Sequence, residues 1–404
     1  MSGRSEKILF CRWQIIGEID VIEGLKACGY QVDTYFRKTT SVDYDVVYMK
    51  EVGELLLKNQ YKYVFSLNFV PVISRVCKIF EIPYISWSVD CPEVMLFSKT
   101  LSNSCNYIFL FDRDMVRKFS SRNPNHVFYM PLGTNARHWE KIKISKEERK
   151  RFQTDVSFIG SLYTEKSKYR SYEMDKLLPD YIRGFCNGLV EAQLKVYGYN
   201  FLEDIVTEKM AQEFKQYAGW NELPEDYLDL TKETVANDFL GLRCTELERV
   251  RLLRQISKNF SLDIYTQSDS KFVPMASYPG VVDYKTDMPK VFQCSKINLN
   301  FTSKSIKTGV PLRIFDIMGA GGFLITNYQQ EIPEYFQIGE DLVVFDNEED
   351  LIWKIDYYLQ HEEERIQIAE NGCKKVRQLY TWEQRIRDIM NIMKEVEPGN
   401  STSL

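Results

Sequence analysis

The chain has 404 residues, 44% of them hydrophobic, more than one ordinary core accommodates, so two domains of roughly 150 to 200 residues are expected. A net charge of −5 gives no overall basic footprint, which disfavours nucleic acid and anionic membranes as partners and favours small or neutral ligands. Nine cysteines, an odd number without a C-x-x-C pair, argue against a disulfide framework and a zinc site and point to a reducing cytoplasm. The first residues pass from charged groups straight into a strand-like run too short for a signal-peptide core, and no run approaches the ~18 apolar residues of an integral membrane segment.

In chain order, β-rich apolar runs at 7–13, 63–69, 84–89, 107–112 and 126–132 alternate with helical spacing at 18–29 and 70–80. Near-continuous apolar strands alternating with helices predict a parallel sheet covered on both faces, hence one α/β domain over residues 1–150. The charged run "KIKISKEERKR" (141–151) reads equally as a linker or a solvated helix face. A strand-like run at 155–163 opens a second domain, expected over 151–380. A mostly helical, polar stretch follows at about 165–260, clearest where Leu247, Val250, Leu253 and Ile256 share one face. Strands are predicted again at 262–266, 297–302, 323–327 and 342–345, with helices around 311–318 and 348–360. The end, 381–404, carries Trp382, Ile386, Ile389 and Met393 on one helical face.

"KTGVPLRIFDIMGAGGFLITN" (307–327) mixes glycines with one arginine and one aspartate in otherwise apolar surroundings. It reads as a loop, a helix entered through Pro311, and a strand. Ligands of such units bind beyond the carboxyl ends of the strands, where free N–H groups and the helix dipole attract anions, so loop and helix start form a candidate phosphate site. Arg313 and Asp316, at i and i+3, share a face: a guanidinium grips phosphate oxygens in a fork, and a carboxylate accepts from ribose hydroxyls. The same pair is equally consistent with a surface ion pair, and Gly319 to Gly322 with a tight helix-to-strand turn.

The block from "SKINLNFTSKSIKTGVPLRIFDIMGAGGFLITN" to "LVVFDNEEDL", with "IAENGCKKV" and "YTWEQR", resembles the C-terminal domain of GT-B glycosyltransferases, in particular the spore-maturation or spore-surface group. "FSLNFVPVISRVCKIFEIPYISWSVDCP", "IFLFDRD" and "YMPLGTN" look like the N-terminal domain found with that group. The resemblance implies an α/β GT-B fold: two Rossmann-like domains facing a central cleft, a helical insertion in the second, and a last helix crossing back to the first. It implies a nucleotide-diphosphate sugar as donor substrate, a UDP-sugar foremost, with no metal or other cofactor. Ser305, Lys307 and Gly309 would lie against the diphosphate, Arg313 would neutralise it, and Asp316, where many members carry glutamate, would take the ribose. Gly160 and Ser161 are further donor candidates. Tyr284 either stacks on the base or packs, and Asn300 either lines the cleft or fixes loops.

Transfer needs a more nucleophilic acceptor and a stabilised leaving diphosphate. Asp90, ending a strand of the first domain, is a candidate base or else a helix cap, with Trp87 beside it as an apolar wall for a sugar. Glu18 and His138 are further candidates, and a retaining enzyme needs no dedicated base. "FDRD" (111–114) is a weak D-x-D, so Asp112 belongs either to a strand-end turn or to the acceptor site. No G-x-G-x-x-G follows the first strand, and there is no P-loop or H-E-x-x-H. The expected activity is sugar transfer to a protein or glycan acceptor, with protein glycosylation in the cytoplasm as its setting. The rivals are an inactive nucleotide-sugar-binding or scaffold protein and a nucleotide-sugar epimerase of the same fold.

Overall fold

The computed structural model describes residues 6–220 and 224–396. Two units divide the chain: Met1–Gly133, Leu223–Leu228 and Tyr380–Leu404 form the first, Thr134–Glu222 and Asp229–Leu379 the second.

The first unit holds β1 (Lys7–Arg12), β2 (Gln31–Phe36), β3 (Tyr63–Leu67), β4 (Tyr84–Trp87), β5 (Asn106–Leu110) and β6 (Val127–Tyr129), all parallel in the order β2-β1-β3-β4-β5-β6. β3, β4 and β5 are buried along their whole length, as strands with both faces covered must be. β2 is absent from the sequence expectation because "QVDTYF" is neither continuously apolar nor regularly alternating and lies at the sheet edge, partly exposed. The expected helices are present as Glu18–Ala27 and Pro71–Phe80. The last helix, Trp382–Val396, buries Trp382, Ile386, Ile389 and Met393 and packs on Glu18–Ala27. Gly24 lies at that contact, where a Cβ would meet Cγ1 of Ile386 at 3.4 Å.

In the second unit β7 (Thr154–Ile159), β8 (Leu262–Tyr265), β9 (Ser295–Asn300), β10 (Leu324–Asn327) and β11 (Val343–Phe345) are parallel in the order β11-β10-β9-β7-β8. Of the two readings of the charged run, the helix holds: Lys146–Phe152 starts on a Ser145–Glu148 capping box. Lys290 donates to Glu148 at 2.6 Å and, as the main cause, holds its carboxyl down at about 2. Between β7 and β8, helices from Lys168 to Asn259 enclose their own core around Cys186, Val190, Phe214 and Phe239. Their last helix, Leu242–Asn259, serves two cores, giving Cys244 to the insertion and Val250, Leu253 and Ile256 to the sheet.

Strand order reverses between β1 and β3 in the first sheet and between β7 and β9 in the second. Beyond the carboxyl ends at such reversals, side chains and free N–H groups can converge on a ligand. All nine cysteines are free thiols, and among the described residues no helix is long and apolar enough to cross a membrane.

Candidate functional site

The 307–327 stretch folds as loop, helix and strand: after β9 the chain runs through 301–311 into the helix Leu312–Ala320 and on to β10. Its later glycines make the helix-to-strand turn. Gly321 takes a left-handed φ of 90° at the helix end, and a Cβ on Gly322 would lie 2.8 Å from the Phe292 carbonyl. The phosphate-site expectation therefore falls on the loop and the helix start, where no side chain caps the first turn.

That loop is wired from its neighbours. Asn300 donates to Thr302 at 3.1 Å and Thr326 at 2.9 Å, so it fixes the loop from a buried position. Gln329 donates to the carbonyls of Ile306 (3.1 Å) and Gly309 (3.2 Å), and Thr308 to Glu331 at 2.7 Å. Ser305 is buried with its hydroxyl 2.9 Å from that of Ser303. The loop lysines are compensated by carboxylates of the insertion: Lys304 meets Glu248 at 2.8 Å, and Lys307 meets Glu203 at 2.7 Å. Lys307, expected to lie against a diphosphate as a cation, thus already has a counter-charge.

Arg313 keeps 27% of its side chain exposed; its Nη1 lies against the Met288 sulfur and only 3.4 Å from Asp316. Asp316 departs from expectation. It is 1% exposed, its Oδ1 accepts from Thr134 at 2.9 Å and Tyr284 at 3.3 Å, and its Oδ2 faces Arg313 at 3.4 Å, so a ribose can reach it only if the surrounding side chains move. Tyr284 packs, its ring edge-on to Trp139 at 6.0 Å. Past β7, the Gly160 N–H donates to the Tyr265 carbonyl at 3.1 Å, and the Ser161 hydroxyl to Glu165 at 2.6 Å.

Sequence reasoning missed Arg249, on the last helix of the insertion. Its guanidinium is buried and joins the two strands of the reversal, donating to the carbonyls of Ser161 (2.6 Å) and Phe301 (2.5 Å). Burial lowers its pKa, nearby Arg313 adds to that, and Tyr163, Glu248 and Glu165 oppose it. Arg251 and Arg254 on the same helix face solvent, and no spacing in the sequence separates them from Arg249.

At the carboxyl edge of the first sheet, Asn68, in a left-handed conformation after β3, clasps the exit of β4. Its amide donates to the Asp90 carboxylate at 2.7 Å and accepts from the N–H groups of Val89 and Asp90 at 2.9 and 3.3 Å. Asp90 is exposed and caps no helix; the short helix Val94–Phe97 begins after Glu93. Glu93, absent from the expectations, is 4% exposed, accepts from the Phe69 N–H, and has no partner on Oε2. Burial pushes its carboxyl up to about 8 against the opposing effects of Ser88 and Phe69, and the Asp90 charge adds to the rise.

Other expected residues take structural roles. Glu18 is buried at the first turn of its helix, accepting from the Trp13 N–H and pairing with Arg12 at 3.3 Å. Trp87 cannot wall a sugar: it is 0% exposed, edge-on to Trp382 at 5.1 Å, with its N–H 3.4 Å from the Met130 carbonyl. Asp112, read as a strand-end turn or an acceptor residue, is the buried cap of the helix Arg113–Ser120, accepting from the N–H groups of Asp114 and Met115 at 2.8 and 3.2 Å. His138 is exposed on the short helix Ala136–Trp139, which belongs to the second unit. Among the described residues no group of three or more His, Cys, Asp or Glu is arranged for a metal ion.

Residues 249–391 match the family described as glycosyl transferase-like. No curated protein matches the chain. Sucrose-phosphate synthase from Thermosynechococcus elongatus superposes with a TM-score of 0.58 at 10% identity, over 97% of this chain and 99% of that one. A glycosyltransferase from Rickettsia africae gives 0.54 at 13% identity, over 99% and 100%. HepE from Anabaena, solved with UDP and glucose, gives 0.53 at 12% identity, over 97% and 100%. The chain thus has the α/β architecture of GT-B proteins, two Rossmann-like parallel-sheet units.

Proposed function

We propose that this chain is a glycosyltransferase that moves a sugar from a nucleotide-diphosphate sugar to a protein or glycan acceptor. The observation that carries this reading is the half-open Arg313 at an uncapped helix start beyond β9, within the segment that matches the glycosyl transferase-like family. A guanidinium beside a helix start that no side chain caps binds the leaving diphosphate without a metal. HepE was solved with UDP and with UDP-glucose, which supports a UDP-sugar as the donor. The spore-maturation resemblance supports a surface-destined protein or glycan as acceptor and a cytoplasmic site of action.

Asp90, exposed at the carboxyl edge of the first sheet and aimed by Asn68, is the proposed acceptor base. Asp90→Asn is expected to leave UDP affinity unchanged and to lower transfer by roughly a hundred-fold or more, the usual worth of a general base. Initial-rate kinetics with calorimetry decide it, and unchanged turnover would return Asp90 to a structural role.

The compensated lysines favour a second reading, a protein that holds nucleotide sugar without turning it over. A panel of nucleotide sugars scored by thermal shift and by release of free nucleotide separates the two. Saturating donor at a hundred times Kd should stabilise the fold by ~2.7 kcal/mol. Release of UDP supports transfer, stabilisation without release supports binding alone, and an epimerised donor would replace both readings.

A further inference from the structure

Resting on the reading of the second sheet's carboxyl edge as a diphosphate site, we infer that Arg249 is the fixed cation that grips the donor's diphosphate between the ends of β7 and β9. The insertion would then be part of the donor site, since its last helix delivers this guanidinium.

A buried charge is costly unless a partner of opposite sign compensates it. Elsewhere on the insertion and its loop, buried charges are matched, Lys304 with Glu248 and Glu246 with Arg170 and Arg243, and the partly exposed Lys307 is matched with Glu203. Arg249 differs. At 9% exposure it donates only to two backbone carbonyls, and its Nε has no partner. The two carbonyls take one N–H from each terminal nitrogen and bring no negative charge; Glu248 and Glu165 favour the guanidinium without forming an ion pair with it, and a neutral side chain could tie the same strand ends with less desolvation. The Tyr163 ring lies 4.5 Å from the guanidinium and shields one face. Arg313 is close enough to disfavour the charge further. Two guanidinium groups at the carboxyl edge of one strand-order reversal, Arg249 tied to the chain after β7 and after β9 and Arg313 on the helix that follows β9 and only loosely paired with Asp316, are what a diphosphate with its spread of negative oxygens would use.

Calorimetry with UDP, inorganic pyrophosphate and uridine on wild type and Arg249→Gln tests this. The expected result is at least a ten-fold loss of affinity for UDP and pyrophosphate with uridine binding unchanged, a pattern that a merely structural tie between strands does not produce. Equal pyrophosphate affinity in the two proteins would overturn the role of Arg249, as would a uridine affinity that falls in step with it. Wild type that binds neither UDP nor pyrophosphate would overturn the diphosphate site itself. Should Arg249→Gln fail to fold, NMR of the wild type replaces it: the Arg249 Nε–H resonance, identified as the one that Arg249→Lys removes, should shift saturably with pyrophosphate. A resonance unmoved at saturation would sink the proposal.

Discussion

Glu93→Gln should melt well above the wild type near pH 8 and close to it near pH 4. In the unfolded chain the Glu93 carboxyl ionises around its ordinary value of 4.5, whereas in the fold burial keeps it protonated up to about 8. Between those values the folded state binds the extra proton, so this group makes the wild type less stable as pH rises, and the loss is complete above about 8. Glutamine cannot ionise, and its carbonyl still accepts from the Phe69 N–H. The advantage of the variant therefore grows across that window. At ~1.4 kcal/mol per unit, the span from 4.5 to about 8 gives at most about 5 kcal/mol, large against an ordinary net stability. Melting curves of both proteins across the pH range check this. A gap independent of pH would mean that Glu93 is not the group that stays protonated.

Arg313→Ala should weaken UDP binding by ~1.5–3 kcal/mol, the range for hydrogen bonds to charged groups, or roughly ten- to more than a hundred-fold. Arg313 is loosely committed in the free protein, with its 3.4 Å approach to Asp316 and part of its surface open. Asp316 keeps Thr134 and Tyr284 but, buried, loses the Arg313 charge, so the unliganded variant should stay folded and melt somewhat below the wild type. Calorimetric titration with UDP gives the answer, and equal affinities would take Arg313 out of the site.

Much of the architecture was legible in the sequence because it rests on local pattern. Apolar runs bounded by turn formers mark ten of the eleven strands, and the helix expected at 348–360 is observed at Glu348–Gln360. β2 escaped because an edge strand needs only partial burial, and its alternation is weak beside the central strands. The candidate site was half legible. The loop, the helix start and Arg313 follow from glycine, proline and charge placed within a dozen residues. Their partners do not, because the fold brings them from far along the chain: Glu203 to Lys307, Thr134 to Asp316, Trp382 to Trp87. A charge that looks free in one stretch is cancelled by another more than a hundred residues away. Arg249 and Glu93 were illegible for the same reason, since burial alone distinguishes them from the solvated arginines and glutamates around them.

A crystal structure of the protein with UDP tests the central claim most directly. The account predicts the diphosphate beyond the carboxyl end of β9, against the start of the helix Leu312–Ala320 and within hydrogen-bonding reach of Arg313. UDP bound away from that edge, or Arg313 turned from it and closed against Asp316 in the complex, would contradict it.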